Sequence, residues 1–256
     1  MQRNKPLVQD YSTYTEEDFA VWALLYNRQM QLLSRYAYRP YLQALTVIGF
    51  APDRIPDFSS TNQRLRPLTG WQLQVTPELV PQDDFFALLS SGIFPATCWL
   101  RRASEIDYIE EPDMFHDVFG HIPLLTDPAY ASFMQGFGQL AMKWQQVPEA
   151  ISLLGRIYWF TIEFGLIRQQ SDTRVFGAGI LSSVEETRHA LSGDATLLPF
   201  DIAAMLQTDY RTDTVQPLYF VLDSFGQLCA ALPEIDRILS ASFSLTFNPT
   251  AYVAGN

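Results

Sequence analysis

Apolar side chains near the N-terminus recur with the period of a helix. Phe19, Trp22, Ala23, Tyr26 and Met30 fall three or four residues apart, a stripe that must pack against something. Ahead of it Thr15 offers a capping hydroxyl, and Glu16, Glu17 and Asp18 face the positive end of the helix dipole. The pattern predicts a helix over 16–36. A second is expected over 39–48, stopped by Gly49 and Pro52, and a third over 55–65, ahead of Pro67 and Gly70. Helical spacing also covers 83–90, 113–120, 128–145, 150–169, 183–191, 201–208 and 224–231. Strand-like alternation or β-branched and aromatic content is confined to 72–75, 174–176 and 243–247. The expected fold class is mainly α with small antiparallel β ribbons. No repeat, low-complexity tract or composition shift marks a linker, so residues 1–256 read as a single domain.

Composition narrows the classes of function. Of the 256 residues 48% are hydrophobic, enough for a sizeable core. No run approaches the roughly 18 uninterrupted apolar residues of a membrane span, and the first ten residues carry no apolar signal core. No membrane partner is expected, and the expected location is cytoplasmic. Cys98 and Cys229, far apart and in apolar surroundings, read as buried thiols of a reducing compartment. A net charge of -11 without any basic run repels a phosphate backbone, so nucleic acid is not an expected partner.

Two of the three histidines fall in one segment, His116 and His121. On a continuous α-helix five residues turn the second imidazole about 140° from the first, so a shared metal requires the helix to end near Gly120 and fold back before Pro123. The spacing also differs from the zinc-protease pattern of two histidines four apart with a glutamate after the first. A carboxylate completes such a site, and Glu163 is the one acid in an apolar helical stretch. Uncompensated burial of that charge costs several kcal/mol. The bland readings are hydrogen-bonded core histidines and a glutamate that is neutral or paired with Arg156. Together, two histidines and an isolated acid form the 2-His-1-carboxylate set that holds iron(II) on one face. His189, on a charged helical face, reads as solvated.

The segment Glu111-Pro-Asp-Met-Phe-His-Asp-Val-Phe-Gly-His-Ile-Pro-Leu-Leu125 closely resembles the iron-binding signature of the biopterin-dependent aromatic amino acid hydroxylases. Tyr158-Trp-Phe-Thr-Ile-Glu-Phe-Gly165 resembles that family's carboxylate-ligand helix, and Phe176-Gly-Ala-Gly-Ile-Leu-Ser-Ser183 and Gln216-Pro-Leu-Tyr219 agree in order. The resemblance covers about 55–247 and implies the family's catalytic-domain fold. It implies His116, His121 and Glu163 as iron ligands and catalytic centre. For the pterin it implies Phe85 as the stacking aromatic, with Phe86 the core residue beside it, Asp117 acting through water, and backbone contacts at Val80 and Gln82. For the substrate it implies Arg101 on the carboxylate, with Arg102 as rival, and Pro112, Trp159, Gly179 and Ser182 along the pocket. Tyr158 and Phe164 stand behind the ligands, and Phe94, Trp159 and Phe164 surround the substrate ring. Ile109 and Glu110 depart from the threonine and proline of some relatives. The chain resembles the short bacterial form, with no separate regulatory or tetramerisation domain.

The implied cofactors are Fe(2+) and tetrahydrobiopterin or a related tetrahydropterin, with O2 as co-substrate. The implied reaction hydroxylates the ring of a free aromatic amino acid, foremost L-phenylalanine to L-tyrosine. Tryptophan or another ring position is the alternative on the same machinery, and a zinc-binding structural or interaction protein is the alternative of another class. Without a heptad pattern near the C-terminus, a monomer is expected.

Overall fold

Thr15 closes both halves of a capping box: its hydroxyl accepts the Asp18 N–H at 3.3 Å, and the Asp18 carboxylate accepts the Thr15 N–H at 2.8 Å. From there α1 runs over Glu16–Tyr36 in the computed structural model, which describes residues 5–243. Helix α2 covers Arg39–Ile48 and stops at Gly49, whose φ of 74° suits the residue without a Cβ. Helix α3 spans Phe58–Thr69; the Asp57 carboxylate caps it, and Pro67 falls in its last turn without ending it. Helices α4 (Gln82–Ser90), α5 (Pro128–Trp144), α6 (Pro148–Tyr158), α7 (Ala178–Leu181), α8 (Val184–Ala190), α9 (Ile202–Gln207) and α10 (Phe225–Phe243) complete the helical set.

The strands differ from expectation in number and direction. β1 (Gln72–Val75) pairs with β2 (Ile93–Ala96) in parallel, because α4 connects them as a crossover. A second sheet has the order β4-β3-β6-β5, from β3 (Leu166–Gln169), β4 (Asp172–Val175), β5 (Thr196–Pro199) and β6 (Leu218–Leu222). In it only β3 and β4 form an antiparallel ribbon; β3–β6 and β5–β6 are parallel. The stretch 150–169, expected as one helix, divides into α6, a π-helical turn over Trp159–Glu163, and strand β3. Gly165 makes the break. A Cβ there would meet the Thr161 carbonyl oxygen at 2.2 Å and the Phe176 ring at 2.4 Å. Phe243, expected to open a strand, ends α10, and the rest of 243–247 lies outside the described residues. Helix α10 continues through Pro233 because Phe225, Leu228, Ala231, Ile235 and Leu239 keep one buried stripe, and it packs on α5.

At the centre, a second π-helical segment, Phe115–His121, is almost wholly buried. Its i→i+5 hydrogen bonding sets residues five apart one above the other, so the helix does not need to fold back at Gly120. Phe115 and Phe119 stack at 4.5 Å on its outer side, and Trp22 meets both edge-on. Tyr41 donates its hydroxyl to the Phe119 carbonyl at 2.8 Å, anchoring α2 to this turn. The aromatic stripe of α1 therefore supports the segment that carries both histidines.

Candidate metal centre

His116 and His121 project from the same side of the first π segment, with their Nε2 atoms 3.4 Å apart. Glu163 ends the other π turn and brings Oε1 to 3.2 Å from His121 Nε2 and Oε2 to 3.6 Å from His116 Nε2. All three ligand atoms lie within 4.8 Å of one another. The short helix α7 lies against both π segments. At Gly179 a Cβ would meet the Phe164 ring at 2.6 Å and the Glu163 carbonyl at 3.1 Å, so only glycine allows this approach.

The ligand chemistry is fixed from behind. Ser182 donates its hydroxyl to the Ala178 carbonyl at 2.8 Å, so toward His116 Nδ1, 3.0 Å away, it accepts. That places the His116 proton on Nδ1 and leaves the Nε2 lone pair facing Glu163. Burial drives His116 down to about 4, against the opposing pull of Glu163, which keeps the imidazole in its neutral, metal-binding form. Burial pushes the Glu163 carboxyl up, and His121 with His116 outweighs it, leaving the group below its ordinary range. Arg156, the rival partner for Glu163, instead binds the Leu206 and Thr208 carbonyls and Asp209. Among the described residues no arginine or lysine pairs with Glu163. A set of two imidazoles and one carboxylate, desolvated and without a protein cation, fits a divalent iron.

Two cavities meet at this triad. The larger, about 1290 Å³, is lined by Arg101, Pro112, Trp159, Phe164, Gly179 and Ser182. The smaller, about 240 Å³, is lined by Val80, Gln82, Phe85, Phe94, Asp117 and Tyr158. His116 and Glu163 border both. Phe94 thus lies on the smaller cavity, tilted against the His121 ring at 4.7 Å, and not around the larger one. Phe85 is half-buried and meets Tyr158 and Phe94 edge-on at 5.4 and 6.1 Å, whereas Phe86 is in the core. His189 is half-buried at the rim of the larger cavity beside Tyr219, a different position from the solvated one expected.

Sequence reading passed over the residues that hold this lining. The Asp113 carboxylate accepts Arg101 Nε and Nη2, each at 2.9 Å, and also the His116 backbone N–H at 3.2 Å. Arg102 is exposed. Asp117 is buried, and its Oδ2 accepts both the backbone N–H and the hydroxyl of Thr97, at 2.8 and 2.9 Å. Burial pushes its carboxyl up to about 7, with those two bonds pulling the other way.

Residues 6–254 match the model of the family described as biopterin-dependent aromatic amino acid hydroxylase. The chain belongs to this family. The match begins well before residue 55, so α1 and α2 are part of the hydroxylase domain. The phenylalanine-4-hydroxylase of Ralstonia nicotianae is 43% identical over 95% of this chain and 78% of its own length. That of Chromobacterium violaceum is 43% identical over 87% and 75%. A crystal structure of the Chromobacterium violaceum phenylalanine hydroxylase with iron(III) and 7,8-dihydrobiopterin has a TM-score of 0.86 at 41% identity, covering 92% of this chain and 86% of that one.

If these three residues are the ligands, removing any one leaves too few to hold the metal. His116→Ala, His121→Ala and Glu163→Ala are each expected to abolish iron binding in folded protein, and Ser182→Ala to weaken it about 10- to 100-fold. Iron analysis after dialysis checks this, and full occupancy in any of the three ligand variants would remove that residue from the set.

Proposed function

We propose that this hydroxylase is an iron(II)- and tetrahydropterin-dependent monooxygenase that converts L-phenylalanine to L-tyrosine with O2. The observation that carries the reading is the meeting of two cavities of different size at one 2-His-1-carboxylate set. A structural zinc site is closed by a fourth protein ligand, whereas the cluster among the described residues has three.

His116, His121 and Glu163 would hold the iron, which supplies redox activation of O2 with the pterin as two-electron donor. The smaller cavity takes the pterin. There Phe85 offers an aromatic face, Asp117 a polar edge, and Val80 and Gln82 the opposite rim. The larger cavity takes the amino acid. Asp113 and the Ile106 carbonyl occupy Nε and one N–H on each terminal nitrogen of Arg101, leaving two N–H groups for a carboxylate. Pro112, Trp159 and Gly179 then border the side chain, and a ring seated there would displace water from the half-buried His116 and Glu163. Tyr158 and Phe164 pack behind. We read the chain as one catalytic domain in the cytoplasm, a reading supported by two free thiols and by the absence of any described helix long and apolar enough to cross a membrane. We also read it as a monomer, since the apolar stripe of α10 is spent on the core. Light scattering at micromolar concentration is expected to give one chain, and a stable tetramer would refute it.

The function is tested by catalytic efficiency on phenylalanine, tryptophan and tyrosine with the products separated. Tyrosine from phenylalanine should dominate, with slower turnover of tryptophan, because an apolar pocket separates similar rings by only about 1–3 kcal/mol. A tryptophan preference, or meta-tyrosine as the main product, would overturn the substrate and leave the family untouched. Arg101→Lys should raise KM for phenylalanine at least about tenfold with iron retained, since lysine cannot form the two-pronged contact. Arg102→Lys should change little, and the reverse ranking would reassign the carboxylate contact.

A further inference from the structure

At the wall of the larger cavity the side-chain amide of Gln216 ties the π turn that carries Trp159 to the loop between α9 and β6. Trp159 Nε1 donates to Gln216 Oε1 at 3.0 Å, and Gln216 Nε2 donates to the carbonyls of Arg211 and Thr214 at 2.8 and 3.0 Å. Every polar atom of the amide is used: the acceptor holds the indole, and the donors hold the loop between α9 and β6. Glu186 of α8 secures the same residue through the main chain. Its Oε1 accepts the Gln216 N–H at 3.1 Å and the Tyr219 hydroxyl at 2.5 Å. Gln216 is 2% exposed and Glu186 6%, so these bonds are shielded from competing water.

Trp159 also has ring neighbours, Tyr210 stacked at 4.5 Å and Phe164 tilted at 4.5 Å. Stacking is tolerant of sliding and of rotation within the ring plane, and it cannot by itself fix where the indole edge lies. A hydrogen bond at Nε1 removes that freedom. Trp159, Tyr210 and Gln216 all line the larger cavity. The position of the indole therefore sets the width left for a substrate ring, and the Gln216 amide sets the position of the indole.

We propose that Gln216 is a specificity-determining positioning residue: by fixing the Trp159 indole and the loop that carries Tyr210, it sizes the cavity for a six-membered ring over an indole. This rests on the phenylalanine reading above, which the wild-type product assay checks by itself. Gln216 acts through Trp159 and does not reach the reacting atoms.

The test is the ratio of kcat/KM for phenylalanine to that for tryptophan, together with tyrosine formed per tetrahydropterin oxidised. Both are measured on iron-reconstituted wild type, Gln216→Met, Trp159→Phe and the double variant, with iron content and Tm as controls. Gln216→Met should keep its iron, lower the ratio about tenfold and lower the yield of tyrosine per pterin. In the Trp159→Phe background, which lacks the indole donor, the same substitution should change the ratio less than about twofold. An unchanged ratio in Gln216→Met, or an equal change in both backgrounds, would overturn the proposal. Should Gln216→Met not fold, Gln216→Asn withdraws the acceptor while keeping an amide, and the same two outcomes decide. If the wild type prefers tryptophan the phenylalanine reading fails, and the shift in ratio still reports on Gln216.

Discussion

Five residues separate the two histidines, and the candidate metal centre depends on that spacing being wound as a π-helix. In an α-helix His116 and His121 would diverge by about 140°. With i→i+5 bonding their Nε2 atoms come within 3.4 Å, on a segment that is otherwise core. This winding is intrinsically poor and persists only where its surroundings favour it. Those surroundings are the stacked Phe115 and Phe119 rings, the edge of Trp22, and the Tyr41 hydroxyl on the Phe119 carbonyl. The first two helices thus support the candidate metal centre, although they contribute no residue to the set of His116, His121 and Glu163.

The second constraint is charge. Glu163 is delivered by another π turn into a region where its partners are the two imidazoles, and a bound cation would balance its charge. Around it polar groups hold one another: Ser182 sets the His116 tautomer, Asp113 holds Arg101 and the His116 main chain, and Thr97 holds Asp117. Such coupling gives two ligand-sized spaces a common border at the triad with little freedom in the residues between them.

Much of this was legible locally. Helices α1 and α2 carry stripe, cap or stop within their own residues, and their bounds follow from them. The ligand trio stood out as clustered histidines and a solitary acid in an apolar run. The winding that joins the histidines did not, because Gly120 and Pro123 suggested a helix end and nothing local distinguishes a π turn from one. Strands β2, β3 and β5 carry no strict apolar–polar alternation in their four residues, unlike β1, and their pairing is decided by remote partners. The stretch 150–169 divides at Gly165 because the Thr161 carbonyl and the ring of Phe176, just past β4, leave no room for a Cβ, a crowding that the local pattern does not show. Asp113, Thr97 and Gln216 acquire their roles from contacts 12, 20 and 57 residues away, a relation that a single sequence does not display.

The two π turns are expected to deliver three ligands, and no fourth, to one iron. Anomalous diffraction at the iron edge from crystals grown with iron(II) tests it most directly. One peak is expected, bonded to His116 Nε2, His121 Nε2 and a Glu163 oxygen, with its remaining positions open to the two cavities. A peak elsewhere in the chain, or one closed by a fourth protein side chain, would contradict it.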